Sequence, residues 1–506
     1  MSKKIKLSYF ALFVSFINLI LYQYPFFKFV FANKNIGSFN GVLFLLSLIV
    51  ASILLNAFAF YIGIYLMRVV GKYLIILLFN ISAVAVYFIN TYGVILDRTM
   101  IGNILNTNYE ESTSFLSFNL FLYLIILGII PSIFIYKADI IIPKIKIFAL
   151  NSVVTLLLLG TLAYVNSSNW LWIDKNSKTL GATTMPWSYV VNTFRYYSHI
   201  NKKNEKQILL PNATIKDSTK SIVVLVIGES ARSSNFSLYG YDRNTNPLLS
   251  NIDNVNHFKT QSCATYTTAG LKCILEHENT GKLYEILPNY LYRNGVDVIW
   301  KTTNWGEPTI KVKSFQNKDF LRQNCEGEIC GYDEILLKDL QQEIENSEKN
   351  KILIVLHTNT SHGPTYYKKY PKQFEKFSPV CKSVELANCT QQELINAYDN
   401  TILYTDYILA TLIEQLKKIE KYESSMIYIS DHGESLGENN LYMHGIPSSI
   451  APTEQLDIPF IVWSSNTSKI IKEDQEYSQH NIFHTVLDLL SVESPIYEES
   501  MSIYEK

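Results

Sequence analysis

The sequence predicts a five-helix transmembrane domain over 1–166 and, after a linker at 167–220, an outer α/β domain over 221–506. Three observations carry this. Up to Val165 the chain is dominated by Leu, Ile, Phe, Val and Tyr, and after Asn166 it reads as a soluble globular protein. Five apolar runs each approach the roughly 20 residues that cross a bilayer. Beyond Lys220, short continuous apolar runs alternate with helical patterns, as in a doubly wound sheet. A chain of 506 residues exceeds one ordinary core. A net charge of −1 gives no electrostatic footprint for nucleic acid.

The apolar runs are Leu7–Phe29, Val42–Leu66, Tyr73–Val94, Leu120–Tyr136 and Ile147–Val165. The first is too long for a cleavable signal, and no small-residue cleavage site follows it. The fourth is the shortest and carries Pro131. Lys3, Lys4, Lys6, Arg68, Lys72, Lys137, Lys144 and Lys146 fall on one side; only Lys28, Lys34 and Arg98 fall in the opposite short loops. Positive residues stay cytoplasmic. The N-terminus is therefore expected inside, and an odd number of crossings puts everything after Asn166 outside.

The segment 97–118 joins spans three and four on the outer side. Met100, Ile101, Ile104 and Leu105 fit one helical face, as in an interfacial helix. Its position makes Asn106 and Glu110 candidate substrate contacts. The linker carries Trp170, Trp172 and Trp187, which suit the headgroup level. Its polar stretch Lys202–Ser218 is the expected hinge.

In the outer domain, Ile222–Ile227 is a continuous apolar run of the kind found in central parallel strands. Asp297–Trp300, Ile352–His357, Met426–Ile429 and Phe460–Trp463 are the other strand candidates, and Glu393–Leu416 is the clearest helix. Several strands end in polar residues: Glu229 after the first, Thr358–Pro364 with His362 after the third, and Asp431-His432 after the next. Ligands sit at the carboxyl ends of strands in open α/β sheets. Oxygen and nitrogen donors there suit Zn²⁺, and a more oxygen-rich set suits Mn²⁺. The Thr-rich segment Ser262–Gly270 is the candidate source of a hydroxyl nucleophile, which needs a metal or base to activate it. Taken alone, such a segment is more often a turn or helix cap.

All six cysteines follow residue 260, as close pairs: Cys263 and Cys273, Cys325 and Cys330, Cys381 and Cys389. No Cys-x-x-Cys spacing points to zinc. Three local disulfides in an oxidising compartment are expected, although the sequence does not fix their connectivity.

Here the residues meet a family. Val226–Arg232 followed by Tyr239-Gly240-Tyr241, Cys263–Thr267, Asn359–Pro364, Pro379–Cys389 with Ile395–Asn400, and Ser430–Glu438 with His444-Gly445 resemble the motifs of the lipid A phosphoethanolamine transferases. These are relatives of the mobile colistin-resistance enzymes within the alkaline phosphatase and sulfatase superfamily. The resemblance covers nearly the whole chain and implies a sulfatase-like periplasmic domain on a Gram-negative inner membrane. It implies one zinc site held by Glu229, Thr267, Asp431 and His432, with Thr267 as nucleophile. It places His362 and His444 near the phosphate or a second metal, either one able to act as general acid. Phosphatidylethanolamine would be the donor, lipid A or its core the acceptor, and the working form a monomer; the modification would lower susceptibility to polymyxin and other cationic peptides. Ala264 stands where many relatives have Gly, and the family's phosphate-binding lysine is not placed, which leaves Lys301 and Lys311 as weak candidates.

Rival readings are a phosphoglycerol transferase of the lipoteichoic-acid synthase type, phosphoethanolamine transfer to a periplasmic protein, and a metal-bearing scaffold without turnover. No Cys-x-Pro-x-Arg occurs, which disfavours a sulfatase. Glu434 is expected to brace the Asp-His turn. His480 and His484 are expected to be structural, and His257, His277 and His357 structural or surface.

Overall fold

A computed structural model describes residues 4–107, 109–203, 207–278, 280–323, 325–472 and 475–505, leaving out the side chains of 110, 111, 168 and 199–203. The chain divides into two compact units, 1–105 with 116–199, and 106–115 with 200–506. The linker is thus divided as well: up to His199 it belongs to the first unit. Residues 204–206, within the expected hinge, lie outside the described residues.

In the first unit the leading apolar run is not one straight helix. It breaks into α1 (Leu7–Tyr22) and α2 (Tyr24–Asn33), bent by 62°. Pro25 opens α2, where its missing N–H is harmless. Gln23, fully buried at the break, donates to Asn18 Oδ1 at 2.8 Å and to the Met185 carbonyl at 2.5 Å. Then come α3 (Phe39–Met67), α4 (Val69–Tyr92) and the short α5 (Arg98–Asn106). Two more apolar helices follow, α6 (Phe118–Lys137) and α7 (Ile145–Val165). Among the described residues four helices are long and apolar enough to cross a membrane, and five crossings result if the bent pair counts as one.

Pro131 does not end α6. The helix widens into a π-turn over Leu124–Ile129 and continues. Proline cannot donate to the carbonyl four residues back, and that carbonyl, of Leu127, accepts instead from the buried Tyr22 hydroxyl. An unmet carbonyl in this apolar setting would be costly.

In the second unit the sheet has eight strands: β1 (Ser221–Gly228), β2 (Val255–Gln261), β3 (Asp297–Thr302), β4 (Ser314–Gln316), β5 (Lys351–His357), β6 (Glu423–Ser430), β7 (Asp457–Ser464) and β8 (Tyr477–Ser478). Their order is β8-β2-β7-β6-β1-β5-β3-β4. Every pairing is parallel except those of β7 with β2 and β6. The five predicted strands are all present. The last departs from a purely parallel sheet, and β2, β4 and β8 are additions.

Both faces of β1 and β5 are buried, which is why they read as unbroken apolar runs. Val223, Leu225 and Ile227 pack in one cluster with Leu271 and Ile274 of α8 (Thr267–Leu275) and with Phe483 and Val486. The long α9 (Gln391–Lys417) opens on a capping box, Thr390 with Glu393, that satisfies its first free N–H groups.

Register aligns the strand ends. Gly228 pairs with Ser430, Ile227 with His357, and Thr302 with His357. The residues that follow β6, β1, β5 and β3 therefore emerge side by side on one rim.

Candidate metal centre and nucleophile

Two adjacent strand ends supply the carboxylates. Glu229 follows β1 and Asp431 follows β6, both buried to 1% exposure or less. At Ser230 the backbone turns with φ 52°, so the chain leaves the strand at once. Asp431 Oδ1 accepts from the backbone N–H of Ser230 at 3.1 Å and of His432 at 2.7 Å. Asp431 Oδ2 has no hydrogen-bond partner although it is fully buried. His432 Nε2 stands 3.4 Å from it, and a buried carboxylate oxygen without a hydrogen bond is costly unless a cation meets it.

The imidazoles are set for the same purpose. Nδ1 of His432 donates to the Gly433 carbonyl at 2.9 Å, and Nδ1 of His362 to the Gly363 carbonyl at 2.7 Å. His444 Nδ1 faces Glu434 Oε2 at 2.8 Å, and Glu434 is held in turn by the Tyr366 hydroxyl. Each contact fixes a tautomer that leaves Nε2 as the ligating or proton-carrying atom.

Three overlapping groups bring ligand atoms within 4.8 Å of one another: Glu229 with Asp431 and His432; Glu229 with His362 and His444; and His432 with Glu434 and His444. The first is the most buried and contains the Asp431 oxygen that has no hydrogen bond. Two carboxylates, an imidazole and a hydroxyl at this spacing fit zinc. Cys263, Cys273 and His480 also lie close, but these cysteines are joined in a disulfide and offer no thiolate.

Charges respond to the crowding. Burial and the neighbouring Glu229 push Asp431 up to about 7. Burial alone would lower His432, but the charges of Asp431 and Glu229 raise it to about 10. Burial would raise Glu229, yet its contact with His432 holds it well below the usual carboxylate range. Burial and the charge of His432 lower His444. Two buried carboxylates sharing one imidazole are short of positive charge, the deficit that a dication meets.

Thr267 is the first residue of α8 and is buried. Its Oγ1 lies 3.2 Å from Glu229 Oε2 and 3.5 Å from His432 Nε2. The helix N-terminus adds a partial positive charge, suited to a phosphoryl group. Two glycines make room. A Cβ on Gly270 would sit 2.3 Å from the Asp431 carbonyl oxygen, and Gly306, at φ 88°, passes the Thr267 methyl group. The disulfide Cys263–Cys273 ties the approach to α8 onto that helix; Cys325–Cys330 and Cys381–Cys389 complete the three local bridges.

A cavity of about 340 Å³ opens beside His362. Lys318, Arg322, Lys368 and Lys369 line it, with Thr113 and Ser114 from the segment 106–115. That segment enters through these two residues rather than Asn106, which is exposed at the end of α5 and does not line the cavity. The Glu110 side chain lies outside the described residues. Lys301 is not brought to the centre: its buried ammonium is engaged by Glu343 at 2.8 Å and the Lys338 carbonyl at 2.7 Å. Lys311 is exposed.

Sequence reasoning missed Asn304 and undervalued His357. Asn304 Nδ2 lies 2.7 Å from Glu229 Oε2. His357 is fully buried at the end of β5, against Glu307 at 2.9 Å. Its place at the end of a core strand, beside the Glu229 strand, was the available signal. His484 is structural as expected: its Nδ1 accepts from the Glu498 N–H at 3.1 Å.

Residues 221–492 match the family model described as Sulfatase, and residues 53–200 match that of Phosphoethanolamine transferase EptA/EptB. The chain is 40% identical to phosphoethanolamine transferase EptA of Helicobacter pylori, over 96% of this chain and 94% of that protein. It is 24% identical to the Kdo(2)-lipid A phosphoethanolamine 7''-transferase of Salmonella typhimurium, over 79% and 76%. Among solved structures, the lipooligosaccharide phosphoethanolamine transferase A of Neisseria meningitidis superposes with a TM-score of 0.88 at 28% identity, covering 98% of this chain and 97% of that one.

Proposed function

This chain belongs to the phosphoethanolamine transferase EptA family, and on that premise we propose that it moves phosphoethanolamine from phosphatidylethanolamine to lipid A through a covalent phospho-Thr267 intermediate. The observation that carries this is Thr267 Oγ1 at the start of α8, held between Glu229 and His432 in a buried site. The relatives reported above are phosphoethanolamine enzymes, so the phosphoglycerol-transferase alternative is without support. The setting is a Gram-negative inner membrane crossed five times, with the second unit in the periplasm.

Glu229, Asp431, His432 and Thr267 would hold zinc, with His362 and His444 at its margin. When bound, zinc supplies a lowered hydroxyl pKa and charge to match the phosphoryl oxygens. Thr267 Oγ1 directs its proton at Glu229 Oε2 and attacks phosphorus. The bond to the diacylglycerol oxygen breaks, and His362 or His444, protonated on both ring nitrogens, donates from Nε2 the proton that this oxygen takes up. In the second half the same imidazole takes the proton from the acceptor oxygen, that oxygen attacks the phosphothreonine, the bond from phosphorus to Oγ1 breaks, and Oγ1 recovers its proton from Glu229. Lys318, Arg322, Lys368 and Lys369 line a cavity that suits an anionic acceptor and disfavours the ethanolammonium group.

The test is intact-mass measurement after incubation with phosphatidylethanolamine. The parent gains one phosphoethanolamine and releases diacylglycerol. Thr267→Ala gains nothing and modifies no lipid A. A Thr267→Ala protein that still carries and transfers the group would end the covalent scheme.

A further inference from the structure

One chain of hydrogen bonds that reaches Glu229 runs in a single direction, set by a lysine. An ammonium can only donate, and Lys369 Nζ donates to Asn359 Oδ1. Asn359 must then present its Nδ2 elsewhere, and it donates to Asn304 Oδ1 at 3.0 Å. That contact turns Asn304 Nδ2 toward Glu229 Oε2 at 2.7 Å and the Thr358 carbonyl at 2.8 Å. His357 Nε2 lies 3.1 Å from the same Nδ2. His357 Nδ1 donates to Glu307 at 2.9 Å, which fixes this ring beside the Asn304 amide. Amide orientations are normally ambiguous. Here the lysine at one end and the carboxylate at the other fix both amides.

We propose that Lys369, Asn359 and Asn304 form a positioning relay that holds Glu229 in its metal-ligating orientation, with His357 and Glu307 bracing Asn304. The proposal rests on reading Glu229 as a ligand. Glu229 and Asn304 are 1% and 9% exposed, so water does not substitute for a lost donor. Ser230 Oγ holds the other oxygen, Oε1, at 2.7 Å. Together these donors stop the carboxylate from rotating away, and each is a charge-assisted bond in a dry site. The relay joins residues beyond β5, β3 and β1, and it begins at Lys369 on the wall of the cation-lined cavity.

The test uses the full-length protein in detergent. Zinc Kd is measured by competition against a chelating dye, with the thermal midpoint taken in parallel. Asn304→Leu and Asn359→Leu should weaken zinc by about ten- to a hundredfold. Lys369→Met should weaken it severalfold, while Lys369→Arg, also donor-only, should restore the parent value. A merely structural role would shift the midpoint without that rescue. Should Asn304→Leu fail to fold, the Lys369 pair still decides. Parent-like zinc binding in Asn304→Leu or Lys369→Met, or a Lys369→Arg protein as weak as Lys369→Met, overturns the relay. Glu229→Gln separates the readings. If it loses zinc while the relay variants do not, only the relay falls; if it binds as the parent does, the ligand assignment falls and the relay with it.

Discussion

At the scale of single residues, burial sets the terms on which each carboxylate exists. Asp406 of α9 is 1% exposed and accepts the backbone N–H of Leu248 at 2.8 Å and of Leu249 at 3.0 Å. Burial still dominates and raises its pKa from 3.8 to about 6. A raised acid makes the folded state hold a proton that the unfolded chain has released. Its contribution is therefore most favourable below the unfolded value and is lost as pH rises through the folded one. The cost at neutral pH is on the order of 3 kcal/mol. Asp406→Asn does not titrate, so its midpoint relative to the parent should climb by a few degrees between pH 4 and pH 7. Only the slope matters, because the amide also gives up one acceptor at every pH. Parallel curves for the two proteins would show that Asp406 is not desolvated as described. This residue was illegible in the sequence, where one Asp in a helical pattern looks solvent-facing. Glu229, Asp431 and His432 were legible because each directly follows a strand-like run. Asn304 was not, since a polar residue in a loop carries no pattern of its own.

At the scale of elements, the site depends on how closely α8 approaches the end of β6. Gly270 lies within the first turn of α8, its Cα facing the Asp431 carbonyl. A methyl group placed 2.3 Å from that oxygen cannot be accommodated by a side-chain move, since the neighbour is backbone. Gly270→Ala should therefore displace Thr267 from Asp431, lose most transfer activity and destabilise the outer unit by about 1–3 kcal/mol. Activity and midpoint both at parent level would contradict the close approach. The central strands were readable because two buried faces impose unbroken apolar runs. β2 was not, because its sequence VNHFKTQ is polar and mostly exposed. Nor was the antiparallel sense of β7, since direction leaves no mark on composition. The break at Gln23 leaves no mark in the sequence, because the run stays apolar on both sides of Pro25 and hydropathy does not register a bend.

At the scale of the whole molecule, that bend decides the topology. If α1 and α2 together cross once, the crossings number five and the N-terminus lies opposite the second unit. If the pair only dips in and returns, four crossings remain and both ends share a side. The charge pattern favours the first arrangement, with Lys4 and Lys6 retained inside. The disulfides bear only on the side of the second unit: Cys263–Cys273, Cys325–Cys330 and Cys381–Cys389 all lie there, and such bridges persist in an oxidising compartment. An N-terminal epitope tag should thus survive protease treatment of intact spheroplasts and be cut only after lysis. A C-terminal tag on the same protein should be removed in intact spheroplasts. Removal of both tags before lysis would make the bent pair re-entrant and reduce the crossings to four. The second unit would keep its place outside in either case, and Thr267 would still face the compartment that holds the acceptor.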